Sequence, residues 1–453
     1  MSAILKENLS MEQSAVEKES LTKNLGLTDA IMMVVGIVIG SGIFFKSSTV
    51  FAAAGNPFMG ILAWIFGGLV TIASALTISE ISTAIPKTGG VFVYLKELYG
   101  ERLAFLFGWV QSLIYVPGVT AALSIMLVTQ ATFFVPLSEV NQRVLAISLI
   151  FLLIFLNMIS TKLGSKVQLI STIGKLIPIG IIILFGFIKG TVGGVSAAST
   201  FSLSNTTISG FGAAILGTLW AYDGWVGVTN IAGELKNPGK DLPKSIIMGL
   251  SLTIFVYILI NIAIINVIPV EQVMMSVTPA SDAAVIMFGS AGAALISGGI
   301  MVSIFGAMNG YLITGVRIPY AMAKDKLFLM PNTLGKIDSR FKTPVAAFLM
   351  EGCLASLYVM TGSFEILTNL AMFMVWLFFI ITVAGIFILR TKFKDMPRAY
   401  KVPLYPIVPL VGIAGGIYII GSTIFTDTYT ALFGLLVTLT GVPVYSYIKK
   451  KYI

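Results

Sequence analysis

The chain has 453 residues, of which 57% are hydrophobic and only 11% charged, with a net charge of +9 and no histidine. So many long apolar runs exclude a soluble globular domain, and the missing histidine removes His-ligated metal sites and His proton relays. The positive charge would suggest nucleic acid in a soluble chain. Here it is sorted between alternate loops and reads as membrane topology.

In chain order, residues 1–25 are polar and of mixed charge, with no apolar core followed by a cleavage site. They are expected to form a cytoplasmic tail, not a signal peptide. Apolar spans then fall near 27–50, 57–84, 101–130, 142–160, 163–188, 210–233, 243–268, 288–322, 343–362, 365–390, 403–424 and 427–448. A helix needs about 20 apolar residues to cross a bilayer, so the pattern predicts an all-α polytopic membrane protein with twelve transmembrane helices. The single cysteine, Cys353, lies within an apolar run and can form no internal disulfide.

With the N-terminus placed in the cytoplasm, almost all of the 29 Lys and Arg residues fall on that side. The exceptions are Lys46, Arg143 and Lys189 on the opposite side, and Lys175 and Arg317 within spans. This bias is the positive-inside pattern for twelve spans with both termini cytoplasmic.

Two spans carry interruptions. In the first, Gly40-Ser41-Gly42 sits mid-run, where each glycine costs about 1 kcal/mol relative to alanine in a helix. One reading is close packing against a neighbouring helix. The other is a true break, which at membrane depth survives only where it lines a cavity. In span six, Trp220-Ala221-Tyr222-Asp223-Gly224-Trp225 puts an acid beside glycine at membrane depth. Two broken spans five helices apart point to an inverted repeat with a binding site at the midplane.

The stretch Gly36 to Phe45, GIVIGSGIFF, resembles the first-helix signature of the amino acid–polyamine–organocation superfamily. Pro86-Lys87-Thr88-Gly89-Gly90, with Tyr94, Gly100, Phe105, Gly108 and Trp109, is similar to that superfamily's loop after the second helix. Trp220 to Trp225 and Gly233-Glu234-Leu235-Lys236-Asn237-Pro238 look like its L-amino acid transporter branch, in particular bacterial serine/threonine and alanine-serine-cysteine exchangers. Ala321 to Asp325 resembles a further family segment, although Lys326 and Leu329 replace its usual Gly and Pro. The resemblance covers roughly residues 25 to 450 and implies a LeuT-type fold, a 5+5 inverted repeat with helices one and six unwound. Its halves would be 26–190 and 205–402, followed by two peripheral helices and a cytoplasmic tail in 403–453.

The implied ligand is a free amino acid. Its carboxylate suits the N–H groups of Ser41, Gly42 and Ile43 at the start of the outer half-helix, with Gly40 and Gly42 allowing close approach. Its ammonium suits the carbonyls of Ile37 and Val38 in span one and of Trp220, Ala221 and Asp223 in span six. Substrates would then be told apart by side-chain volume. The resemblance makes Trp220 a lid, with Tyr115 and Tyr311 as weaker candidates to line the pocket; aromatic packing is the plain alternative. Small neutral L-amino acids are expected unless Asp223 receives a cationic side chain.

Lys175 lies mid-span, too deep to snorkel easily, which favours function. The resemblance places its ammonium where sodium-coupled members of the fold bind a cation, with the Gly36 carbonyl and Ser303 as partners. Tyr257, midway along span seven, could reach the second break. Glu80, Glu234 and Arg317 sit near cytoplasmic ends, as an inner gate or as topology-setting pairs.

The expected function is sodium-independent exchange of alanine, serine, threonine and cysteine-class amino acids, with no metal or cofactor. Proton-coupled amino acid or amine uptake is the alternative, and an amino acid sensor on a transporter fold is a second. An enzyme would need an acid–base or nucleophilic set that this composition hardly supplies, and a channel would need a continuous polar pore. Expected partners are the substrate and the lipid bilayer of a plasma membrane, bacterial inner by resemblance, and no nucleic acid. Eukaryotic relatives of the branch join a heavy subunit through a cysteine between spans three and four. The corresponding loop, Ala131 to Arg143, has none, so no disulfide-linked partner is expected.

Overall fold

The computed structural model describes residues 24–87, 89–190, 208–361 and 364–452. Most of the expected N-terminal tail, and the segment 191–207, which covers the link between the two expected halves and the first residues of the second, lie outside the described residues. Within them the chain is all helical, with one isolated backbone bridge between Leu25 and Leu235 and no strand.

The first span is two helices, α1 (Leu27–Val38) and α2 (Gly42–Ala54), bent by 44° at the break. Then come α3 (Pro57–Ala84), α4 (Val91–Tyr99), α5 (Glu101–Val110), a π-helical turn (Gln111–Tyr115) and α6 (Val116–Ala131). Next are α7 (Glu139–Ile159), α8 (Thr161–Lys189), α9 (Ile208–Tyr222), the short α10 (Gly227–Asn230), α11 (Pro238–Val267) and α12 (Val270–Met275). The chain continues through α13 (Pro279–Gly315), α14 (Arg317–Lys324), α15 (Pro331–Leu334), α16 (Val345–Thr361), α17 (Phe364–Lys392), α18 (Ile407–Thr426) and α19 (Thr428–Tyr452).

Local chemistry sets these boundaries. Gly26 donates its N–H to the Asp29 carboxylate at 2.8 Å to open α1, and Asn56 accepts from the Met59 N–H at 2.8 Å to open α3 ahead of Pro57. Gly55, at φ 79°, closes α2 in the left-handed conformation. Among the described residues nine helices are long and apolar enough to span a membrane, or ten if the bent pair counts as one. Two shorter apolar helices, Gly210–Tyr222 and Val345–Thr361, fall where spans six and nine are expected.

Side chains sort as lipid demands. Phe155, Ile170, Ile177, Leu436 and Leu439 are exposed on helix faces, while a chain of amides is buried between α7, α8 and α13. In that chain Asn157 donates to Asn309, and Asn309 donates to Gln168 and to the Gly164 carbonyl. With no hydrophobic force between helices in lipid, such hydrogen bonds and small-residue contacts fix their packing.

The two interrupted spans lie side by side and run in opposite directions. Leu25 pairs with Leu235, Ile37 packs against Gly224 and Gly227, Gly42 meets Ala221, and Val50 meets Gly217. A Cβ on Gly42 would stand 2.5 Å from the Ala221 Cα, so only glycine allows the breaks to approach this closely.

Candidate functional site

The first break comprises Ile39 to Ser41. The Ile39 N–H still reaches the Val35 carbonyl, but the Gly40 N–H turns back to Val38, and the helix resumes from Ser41. The N–H groups of Ser41, Gly42 and Ile43 find no acceptor among the described residues, and the buried Ser41 hydroxyl has no partner there either. Four donors therefore converge on the positive end of a thirteen-residue helix. Leaving even one buried polar group unmet costs about 1–3 kcal/mol, and four donors at a helix N-terminus have the chemistry to meet an anion.

The second break is the turn Asp223 to Val226, with Gly224 at φ 93°. Glycine is required there, because a Cβ at this positive φ would also strike both the Ile37 side chain and the Tyr311 hydroxyl. Of the five expected ammonium acceptors, three are engaged. The Tyr257 hydroxyl stands 2.8 Å from the Val38 carbonyl and 2.9 Å from the Ala221 carbonyl, and the Asp223 N–H donates to Trp220. The main-chain carbonyls of Ile37 and Asp223 accept nothing among the described residues. Of the five carbonyls expected to meet an ammonium, these two are the ones left open.

The Asp223 carboxylate is buried and held by two phenols. Tyr115 donates a short hydrogen bond to Oδ2, and Tyr311 donates to the same oxygen at 2.8 Å. Tyr115 is the last residue of the π-helical turn, where the widened turn re-aims side chains relative to a regular helix.

Lys175 is fully buried on α8. Its ammonium donates to the Gly36 carbonyl at 2.7 Å and, in a shorter contact, to the Ile39 carbonyl. Ser303 on α13 is not bonded to Lys175. It donates instead towards Ile39 and Gly40, at 3.1 and 3.2 Å. Lys175 and Ser303 therefore meet through a shared carbonyl, and the break in α1 is tied to both α8 and α13.

Trp220 stacks edge-on against Phe364 at 5.9 Å, and Lys46 lies 5.7 Å over that Phe364 ring. Beneath, Trp64 packs edge-on against Tyr222 and Tyr257, and its carbonyl accepts from the Tyr222 hydroxyl at 3.0 Å. Trp64 and Phe364 carried no sequence signal, because an aromatic in an apolar run looks the same at a site or in lipid.

Near one end of the bundle, Glu234 and Arg317 form a buried two-pronged pair at 2.9 and 3.2 Å. Glu80 joins a different group: it accepts from Arg390, Arg398 and the Val402 N–H. The loop glycines Gly89 and Gly90 are both at positive φ; Gly90 presses on Asn230 at the end of α10, and the Gly89 N–H donates to the Asn230 carbonyl.

An all-helical, multi-pass membrane protein with two antiparallel broken helices and donors gathered at one break has the build of a carrier for a small zwitterion. The amino acid permease family profile matches residues 25–442, and the chain belongs to that family. It is 40% identical to the serine/threonine exchanger SteT of Bacillus subtilis, over 96% of this chain and 99% of that one. It is 32% identical to the large neutral amino acids transporter small subunit 2 of Mus musculus, over 94% of this chain and 81% of that one. With the b(0,+)-type amino acid transporter 1 of Homo sapiens it shares 30% identity over 96% of this chain and 90% of that one. The protein is an amino acid transporter.

Proposed function

We propose that this transporter exchanges small neutral L-amino acids, of the serine, threonine, alanine and cysteine class, without sodium. The observation that carries the reading is the row of unmet donors at Ser41, Gly42 and Ile43, facing a break whose Ile37 and Asp223 carbonyls are also open. A carboxylate and an ammonium on one carbon fit such a pair. The 40% identity to a serine/threonine exchanger supports both the substrate class and the exchange mode.

Twelve spans in a LeuT-type inverted repeat fit the antiparallel run of the two broken spans, with halves 26–190 and 205–402 and peripheral helices in 403–453. The bulky wall of Trp220, Phe364, Tyr115 and Tyr311 favours small side chains. Lys175 supplies a resident cation between α1 and α8, so the cycle has no need of external sodium. The chain is read as residing in a bacterial plasma membrane with both termini cytoplasmic, and as working without a disulfide-linked heavy subunit.

Liposomes containing the purified chain and preloaded with serine should take up labelled serine in choline as fast as in sodium, and empty liposomes should do so slowly. Equal uptake with and without preloading would replace exchange by uniport. Uptake only under a proton gradient would replace it by proton coupling, and binding without accumulation would indicate a sensor.

A further inference from the structure

Helices α5 and α19 run antiparallel along a seam. Gly441 lets α19 approach Leu106 and Trp109, Tyr445 packs on Phe105 at 5.3 Å, and Lys449 meets Glu101 at 3.4 Å. Beside that seam lies a groove of about 580 Å³ lined by Arg102, Leu106, Val442, Tyr445, Ser446, Lys449 and Lys450. The lining comes from one stripe of each helix, Arg102 and Leu106 from α5, and Val442, Ser446, Lys449 and Lys450 from α19.

The groove is two-toned along its length. Its end at the helix termini carries three cationic side chains, and only Glu101 stands against them. The Lys449–Glu101 pair is about half exposed, so solvent screens it and this end of the groove keeps a net positive charge. No described carboxylate pairs with Arg102 or Lys450. The other end is apolar, with Leu106 and Val442, and it continues along α19 into the exposed Leu439, Leu436 and Leu432. This is the outer face of a membrane helix, where acyl chains lie.

We propose that this groove seats one anionic phospholipid, its phosphodiester between Arg102, Lys449 and Lys450, and an acyl chain along Leu439 and Leu436. Basic pockets between membrane helices at the headgroup level have this chemistry. A soluble phosphate would use the cations but leave the apolar half of the groove uncovered, and a zwitterionic lipid would leave the net charge unbalanced. The lipid would bridge α5 and α19, bracing the last helix against the span that carries Tyr115.

The test uses the full chain in detergent, with native mass spectrometry and thermal unfolding. Phosphatidylglycerol, phosphatidylcholine and inorganic phosphate are added separately. A single phosphatidylglycerol is expected to stay bound and to raise the unfolding temperature, phosphatidylcholine to be retained less, and inorganic phosphate to do little. Replacing Arg102, Lys449 and Lys450 by Gln should weaken phosphatidylglycerol retention by about fivefold per residue. The same replacement at Lys324, Lys336 and Lys342, elsewhere on the surface, should leave it unchanged.

Equal retention of the two lipids by the unmodified protein would overturn the proposal, and that comparison needs no variant to fold. So would equal loss in the control triple, or a phosphate effect matching that of the lipid.

Discussion

The ammonium of Lys175 stands 2.7 Å from the carbonyl oxygen of Gly36, one turn before the first helix break. A positive charge at this place meets carbonyls that the break has stripped of their usual N–H partners. Each side satisfies the other, and together they couple α1 to α8.

Lys175→Ala is therefore expected to reduce exchange by tenfold or more, because each charge-assisted hydrogen bond contributes about 1.5–3 kcal/mol. Initial rates in preloaded liposomes and the unfolding temperature should be measured together. Near-normal exchange at normal folded yield would reduce Lys175 to a packing residue.

Tyr257→Phe isolates one hydroxyl. The ring should keep its contacts with Trp64 and Tyr222, at 5.5 and 5.1 Å, while the Val38 and Ala221 carbonyls lose their shared donor. A stability loss of about 1 kcal/mol is expected, with a severalfold fall in exchange rate. An unchanged rate would show that the two breaks do not need this link to move together.

Gly42→Ala should abolish transport, since the new methyl would lie 2.5 Å from the Ala221 Cα, a backbone atom that cannot rotate aside. Gly180→Ala is the matched control, because nothing lies within 4 Å of a Cβ there. Transport retained by the first variant would mean that the breaks separate more than the structure shows.

Two buried acids should respond in opposite ways to the same change. Glu234 is paired with Arg317, so Glu234→Gln strands a buried guanidinium and should cost about 3–5 kcal/mol. Glu351 on α16 is fully buried, and neither carboxylate oxygen has a partner among the described residues. Glu351→Gln removes an uncompensated buried acid and should leave stability equal or higher. Thermal unfolding of the two variants checks this, and a matching loss in both would show that Glu351 has a partner.

Sequence and structure agree best where a residue type is costly in a membrane. Gly40 and Gly42, Asp223 and Lys175 could be singled out because glycine in a helix and charge in lipid both demand a reason. Geometry between distant helices was not legible. Nothing in the sequence says that Tyr257 occupies two of the five expected carbonyls, or that Ser303 shares Ile39 with Lys175 instead of contacting it. Glu80 and Glu234 look alike in sequence, and only the packing of α17 against α3 sends one to Arg390 and leaves the other to Arg317.

The two phenols on Asp223 bear on which substrates are refused. A free carboxylate at the second break would attract the side chain of lysine or arginine. In the structure, however, Tyr115 and Tyr311 both donate to its Oδ2 and lie within 6.1 Å of one another, ring to ring. Satisfied in this way, the acid has little to offer a cation, which would also have to displace a phenol to reach it. Arginine should therefore compete poorly with serine for entry into serine-loaded liposomes. Replacing both tyrosines by phenylalanine keeps the ring volume and frees the carboxylate, so arginine competition should rise severalfold while alanine competition changes little. Strong arginine competition in the unmodified protein would show that Asp223 is already available to substrate and that the site admits cationic amino acids.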